Sequence, residues 1–152
     1  MVITLTIIFF IFGLIIGSFL NVVICRYNTK KSLGGRSACM SCQNKLCWYE
    51  LVPLVSFSLL GGRCKTCQTR ISIQYSLVEF LTGLIFALLF LKFQDVFYAD
   101  MLIFTGTFIY YALMFSFLLV IASYDLRHKI IPDKLSLIFG VLSFFWFIYF
   151  YH

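Results

Sequence analysis

Four long apolar runs determine what this chain can fold into. They are Val2–Ile24, Leu77–Leu91, Met101–Tyr124 and Leu135–Tyr151. A run of about 20 apolar residues is long enough to cross a bilayer as a helix, and Tyr75 and Phe93 lengthen the short second run. Because 62% of the 152 residues are hydrophobic and only 12% are charged, lipid must be the solvent for most of the chain. We therefore predict an all-α, multi-pass membrane protein with about four transmembrane helices.

The positive charge is concentrated between the first two apolar runs. From Cys25 to Tyr75 there are eight Lys or Arg residues and one acid, Glu50. Because basic loops stay on the cytoplasmic side of a membrane, this loop is predicted to be cytoplasmic and the N-terminus to lie outside. Residues 92–100 are then external and residues 125–134 cytoplasmic. This distribution explains the net charge of +6 without a nucleic-acid partner.

The first run has the features of a retained helix. No basic residue precedes it and no small-x-small cleavage site follows it, which argues against the alternative of a cleaved signal peptide. Gly13 and Gly17 have the spacing that lets another helix approach closely. Asn21 should face protein or water, in a packing hydrogen bond or in a catalytic role. Glu79, near the start of the second run, needs a polar cavity, a basic partner or the N-terminal end of its helix.

The loop after the first run contains two Cys-x-x-Cys pairs. Cys39 and Cys42 form the first, and Cys64 and Cys67 follow after 21 further residues. Two such pairs are the ligand set of a structural zinc site, because each pair directs two thiolates at one tetrahedral ion. Two disulfides, a redox dithiol or unrelated cysteines are the alternatives, and a reducing compartment disfavours the disulfides. We predict a small cytoplasmic zinc-binding domain, with Cys25 and Cys47 outside the ligand set.

Several segments resemble a known family. They are Gly17–Arg26 (GSFLNVVICR), Ser37–Cys39, Leu46–Pro53 (LCWYELVP), Gly62–Cys64 and Ile71–Glu79 (ISIQYSLVE). In these motifs, and over essentially its whole length, the chain resembles the bacterial prepilin peptidases, the type IV prepilin leader peptidase/N-methyltransferase family of A24 aspartic peptidases. Asn28 and Ser76 stand where that family commonly has proline. The resemblance implies a multi-pass protein of the bacterial cytoplasmic (inner) membrane that cleaves type IV prepilin or pseudopilin precursors. It also implies methylation with S-adenosylmethionine, although no motif in the sequence marks a site for that cofactor.

A second informative segment follows the third run and reads DLRHKIIPD from Asp125 to Asp133. The alternative interpretation from composition is an interfacial acid that pairs with Arg127 or His128. Asp followed by Ile-Pro-Asp resembles the first active-site motif of the prepilin peptidases and the archaeal preflagellin peptidases. By that match Asp125 is one catalytic aspartate, and Pro132 and Asp133 shape the turn into the next helix.

The second catalytic aspartate of the family lies in a Gly-x-Gly-Asp motif, which this sequence does not contain. Aspartic protease chemistry needs two carboxylates that share a proton, and Asp133 lies in the same turn as Asp125. We therefore expect the chain to act only with a second chain or a longer reading frame that supplies the motif. The alternative is a non-catalytic membrane scaffold with a zinc-binding lobe. The expected domains are residues 1–25 (first helix), 26–75 (zinc-binding domain) and 76–152 (peptidase membrane domain).

Overall fold

The computed structural model describes residues 1–27, 29, 34–35 and 37–151, without the side chains of residues 149–151. Asn28 and Arg36 lie outside the described residues. The helices are α1 (Val2–Arg26), a 3₁₀-helix (Trp48–Leu51), α2 (Val55–Leu59), α3 (Ile73–Ala99), α4 (Met101–His128) and α5 (Asp133–Tyr151). Within these ranges the chain has no strands beyond two isolated bridges, which confirms the all-α prediction.

Three of the helices are long and apolar enough to cross a membrane: α1, α3 and α4. They contain the first three predicted runs. The fourth run is also helical, as α5, but side chains at its end lie outside the described part of the chain, so its crossing of a membrane stays a prediction.

The connection predicted at residues 92–100 is largely helical. Helix α3 continues to Ala99, and Asp100 alone separates it from α4. The charged residues of this segment suggested a loop, but the segment contains neither Gly nor Pro, and Phe93 and Phe97 keep the spacing of a helix face. The Asp100 carboxylate accepts the N–H groups of Leu102 and Ile103 at 2.8 and 3.1 Å, which caps α4.

The chain divides into two compact units, Met1–Ala87 and Leu88–His152. In the first unit, α1 crosses the first half of α3 at very short range. A Cβ atom on Gly13 would lie 2.8 Å from the Cα of Gly83, and one on Gly17 would lie 2.8 Å from the Cα of Glu79. The close helix approach predicted from the two glycines is therefore confirmed, since neither position has room for a side chain.

Polar contacts connect the end of α1 to the start of α3. The buried Asn21 side chain donates to the carbonyl of Tyr75 at 2.8 Å. One turn further on, the Cys25 thiol donates to the Tyr75 hydroxyl at 3.3 Å. Asn21 thus faces protein, as expected, and the two contacts bring both ends of the cysteine loop together.

Aromatic side chains form the core of the second unit. Phe90 is fully buried, and its ring packs edge-on against Phe97 and Phe104 at 5.6 and 6.4 Å between ring centroids. Helix α5 returns along α4, where Tyr110 and Trp146 stack with centroids 3.8 Å apart. Helix α4 ends at His128, and the capping residue Lys129 adopts φ 53° and donates its N–H to the Asp125 carbonyl.

Candidate functional site

The first Cys-x-x-Cys pair forms a tight turn. The Cys39 N–H donates to the Asn44 carbonyl at 2.9 Å, and the Gln43 N–H donates back to the Cys39 carbonyl at 3.0 Å. Gln43 has φ 58°, in the left-handed region that glycine adopts most easily. Its side-chain amide donates to the Met40 carbonyl at 3.2 Å, which supports the turn.

The second pair repeats this turn almost contact for contact. The Cys64 N–H donates to the Thr69 carbonyl at 2.9 Å, and the Gln68 N–H donates to the Cys64 carbonyl at 3.0 Å. Gln68 has φ 57°, and its amide donates to the Lys65 carbonyl at 3.4 Å. An antiparallel bridge closes each turn, Ala38–Lys45 in the first and Arg63–Arg70 in the second. We call these two turns the knuckles. The repeated pattern Cys-x-x-Cys-Gln in the sequence marks both of them, and the sequence analysis overlooked it.

The two knuckles bring their four sulfur atoms together. The Sγ atoms of Cys39, Cys42, Cys64 and Cys67 all lie within 4.8 Å of one another, and those of Cys39 and Cys67 are 3.7 Å apart. Four sulfurs at about 2.3 Å from a tetrahedral zinc ion are separated by about 3.8 Å. Cys64 is buried and the other three are reached by solvent to varying degrees. The donor set and its spacing therefore fit a single tetrahedral metal ion.

Hydrogen bonds from the knuckle backbone stabilise charge on the sulfurs. The N–H groups of Cys42 and Ser41 lower the pKa of Cys39. The hydroxyl and the N–H of Thr69 lower the pKa of Cys67 to about 6, with the hydroxyl 3.0 Å from the sulfur. Such outer contacts orient metal ligands and keep them as thiolates.

The pKa of Cys42 is shifted in the opposite direction. The N–H of Asn44 lowers its pKa, but desolvation and the neighbouring sulfurs outweigh this effect and raise the pKa to about 11. Four thiolates this close repel one another, so full ionisation of the cluster requires a cation. A metal ion bound among the four sulfurs would supply that charge.

An aromatic segment between the knuckles is connected to both the cluster and α3. Lys65 of the second knuckle donates to the Tyr49 hydroxyl at 3.1 Å, which raises the pKa of Lys65. Glu50 accepts the N–H of Cys47 at 2.7 Å and closes the 3₁₀-helix in a capping box. Cys47 is exposed and lies outside the sulfur cluster, and Cys25 belongs to the α1–α3 contact.

The sequence did not reveal a contact that the structure places at the end of this segment. The Glu79 carboxylate of α3 accepts the N–H of Leu54 at 3.0 Å. Leu54 has φ 59° and ψ −43°, and the N–H of Val55 donates to the carbonyl of Pro53 at 2.6 Å. This is a γ-turn, a strained conformation for a leucine. Glu79 thus finds a backbone donor, and the side chain of Ser18 also contacts it.

Asp125 belongs to the second unit and lies in the last turn of α4. It is exposed and borders a cavity of about 400 Å³. The other lining residues are Leu118, Ile121, Ala122, Ile131, Ser136 and Phe139. Pro132 is buried in the following turn, and Asp133 begins α5 without lining the cavity. The ring of His128 packs on Tyr124, with ring centroids 4.4 Å apart.

Comparison with known proteins identifies relatives of this chain. The chain is 39% identical over 128 residues to a prepilin leader peptidase/N-methyltransferase of Myxococcus xanthus, which covers 84% of the chain and 36% of that protein. It is 34% identical over 136 residues to a protein of the same name from Bacillus subtilis (87% of the chain, 50% of that protein). A type 4 prepilin-like proteins leader peptide-processing enzyme of Escherichia coli O78:H11 is 36% identical over 140 residues (80% and 49%).

The chain therefore spans about a third to a half of the length of these relatives. No solved structure matches it. The sequence profile of the Bacterial Peptidase A24 N-terminal domain matches residues 11–93, which include most of α1, both knuckles and most of α3. The chain belongs to the family of bacterial A24 peptidase N-terminal domains.

Proposed function

We propose that this chain forms the N-terminal part of a prepilin leader peptidase that cleaves type IV pilin-like precursors at the cytoplasmic face of the bacterial inner membrane. The names of its relatives support the substrate class. Within this proposal residues 1–25 form the first helix, 26–75 the zinc-binding domain and 76–152 the membrane domain that carries Asp125.

The position of Asp125 carries the proposal. Its carboxylate is exposed beside a cavity of about 400 Å³ whose other lining residues are mostly apolar, an environment that suits an extended peptide. Cleavage requires a pair of carboxylates that share one proton, one to activate water and the other to polarise the scissile carbonyl. Asp125 is the first of this pair, and the second comes from a Gly-x-Gly-Asp segment that is not among these 152 residues.

The four knuckle cysteines are assigned to structural zinc. A closed set of four thiolates leaves no position for a water ligand, so the ion folds and holds the lobe and takes no part in cleavage. The sulfur spacing supports this assignment, as does the set of N–H donors around the sulfurs. No motif marks a site for S-adenosylmethionine, so methyl transfer is assigned to no residue of this chain.

The experiment is a complementation assay in membranes. The chain is expressed with a prepilin, alone and together with a partner or extension that carries the Gly-x-Gly-Asp helix. We expect cleavage only in the complemented system, and Asp125→Asn should abolish it because the amide cannot act as a base. Asp133→Asn is the matched control and should retain most of the activity.

Two outcomes would contradict the proposal. Cleavage by the chain alone would mean that a second carboxylate is already present, for example Asp125 of a second copy. Full activity of Asp125→Asn in the complemented system would favour the alternative of an interfacial acid within a non-catalytic scaffold.

The proposed orientation has its own test. Basic residues between α1 and α3 favour a cytoplasmic lobe and an external connection near Asp100. An epitope inserted after Ala99 should be labelled from outside intact cells, whereas one inserted within residues 30–36 should be labelled only after the cells are opened. The reverse pattern would overturn the orientation and, with it, the reducing environment assumed for the zinc ligands.

A further inference from the structure

An apolar surface of the first unit has no function in the proposal above. The segment Trp48–Leu59, which contains the 3₁₀-helix and α2, exposes large hydrophobic side chains. Trp48 is 79% exposed, Val55 51% and Leu59 80%. Water-soluble lobes seldom leave a tryptophan and a leucine so open in one short segment, and exposed apolar surface of this kind marks an interaction site.

The hydrogen bond between Leu54 and Glu79 fixes the position of this segment along the axis of α3. Glu79 lies six residues after Ile73, where α3 begins, so it is about 9 Å along the helix axis at 1.5 Å per residue. Its carboxylate binds the N–H of Leu54, which lies near the middle of the segment. Leu54 is therefore level with the start of the apolar run Leu77–Leu91 in the candidate membrane span α3.

The covalent connections agree with this level. The lobe begins where the candidate span α1 ends, at Arg26, and returns to the candidate span α3 at Ile73. Asn21 and Tyr75 hold these two ends together. The lobe that contains the segment is therefore attached at both of its ends to a candidate membrane span.

The composition of the segment and its surroundings suits the membrane–water interface. Trp and Tyr concentrate at that interface, where the ring is in an apolar layer and the polar group is hydrated. The Tyr49 hydroxyl bonds to the Lys65 ammonium, which leaves its ring as the apolar part. The described residues that flank the segment in the sequence add basic side chains, which anionic lipid headgroups attract: Lys45, Arg63, Lys65 and Arg70.

We propose that the segment Trp48–Leu59 is a lipid-binding surface, which rests in the headgroup region of the bilayer beside the ends of α1 and α3. Trp48, Val55 and Leu59 enter the upper acyl layer. Glu79 and the strained Leu54 turn set the depth of the segment. The surface thereby orients the two knuckles relative to the membrane plane.

Trp48 itself reports on this contact. The chain has two tryptophans, Trp48 and Trp146, so Trp146→Phe leaves Trp48 as the single tryptophan, which can be excited selectively at the red edge of its absorption. The full chain is reconstituted in vesicles of phosphatidylcholine and phosphatidylserine, with and without acyl chains brominated at shallow or deep positions. We expect Trp48 emission to be shifted to the blue relative to tryptophan in water. Shallow bromines should quench it more than deep ones, and aqueous acrylamide should quench it only weakly.

A charged side chain introduced into the segment Trp48–Leu59 should weaken its binding to the lipid. In the Trp146→Phe background, Leu59→Asp should reduce the quenching of Trp48 by shallow bromines and increase its quenching by acrylamide. Met40→Asp is the matched control, since Met40 is also exposed, at 60%, but lies in the first knuckle. It should leave both signals unchanged, and the metal content of each variant reports whether the lobe is folded.

Three results would overturn the proposal. Water-like emission that acrylamide quenches and brominated lipid does not would mean that Trp48 faces water. Emission that neither agent quenches would mean that protein, such as a second copy of this chain, covers the surface. Equal responses of Leu59→Asp and Met40→Asp would mean that the segment Trp48–Leu59 has no special contact with the bilayer.

Discussion

The knuckles and the turn that carries Asp125 differ in how much of a site each one contains. The knuckles hold four ligands, their N–H donors and the cross-link from Asn44 to Thr66 at 2.8 Å within about 30 residues of chain. The Asp125 turn places a single carboxylate, that of Asp125, at the edge of a cavity. A metal site closes around its ion and can be built locally, whereas the proposed aspartyl pair needs a second carboxylate from outside this turn to share the proton of Asp125. The first region can therefore be tested by itself, and the second only together with a partner.

Of the variants considered, removal of a metal ligand should have the largest effect on the stability of the knuckles. Cys64→Ser replaces the buried ligand, and binding of structural zinc is worth about 10–16 kcal/mol in small zinc domains, so the knuckles should unfold. We expect the variant to lose its single zinc ion and its resistance to proteolysis between residues 37 and 72. The helix content of α1, α3 and α4 should remain.

Metal analysis and limited proteolysis of the purified, reduced protein check this expectation. Cys47→Ser is the control, because Cys47 lies outside the sulfur cluster and should leave the zinc content unchanged. If freshly prepared wild-type protein held no zinc, the region would no longer be a self-contained metal site.

The next largest effect should come from the helix crossing beside the lobe. In Gly13→Val the new Cβ would lie 2.8 Å from the Cα of Gly83, which is backbone and cannot move aside without separating α1 from α3. We expect destabilisation of about 1–3 kcal/mol or more, as for other overpacked interiors. Thermal unfolding in detergent measures the loss.

Gly106→Val is a matched control for this helix variant. A Cβ on Gly106 meets no atom within 4 Å, so its melting temperature should be close to that of the wild type. Equal losses in the two variants would mean that valine in a helix, and not the crossing, is responsible.

The sequence predicted features that depend on local patterns and missed features that depend on how the chain folds back on itself. Gly13 and Gly17, the four cysteines and Asp125 all carry short local patterns, and the patterns found the helix crossing and the sulfur cluster. The continuation of α3 through residues 92–99 was missed because charged residues were interpreted as a loop. The Leu54–Glu79 contact could not be predicted, because it joins residues 25 positions apart and depends on how the lobe folds back onto α3.

That contact provides a third and smaller test. Glu79→Gln keeps the shape of the side chain but turns a charge-assisted hydrogen bond into a neutral one, which costs about 1 kcal/mol. Because the bond supports a strained turn, amide exchange at Leu54 and Val55 should accelerate while the zinc content stays the same. Asp95→Asn, an exposed position further along α3, is the control and should not alter exchange in the lobe. If amide exchange did not change in Glu79→Gln, the hydrogen bond from Leu54 to Glu79 would not stabilise the lobe on α3.

The smallest expected effect concerns the equivalence of the knuckles. Gln43 and Gln68 occupy the same left-handed position, with φ 58° and 57°, and each donates its amide to the carbonyl three residues earlier. In Gln43→Gly and Gln68→Gly the relief of φ strain, about 1 kcal/mol, opposes the greater entropy of the unfolded glycine and the loss of that hydrogen bond. We expect zinc affinity, measured by competition with a chelator, to change only a few-fold and by the same factor in both variants. A large loss at one knuckle alone would mean that the lobe is asymmetric, with one turn formed before the metal binds and the other formed by it. Equal effects would support a lobe in which two copies of one turn converge on the ion.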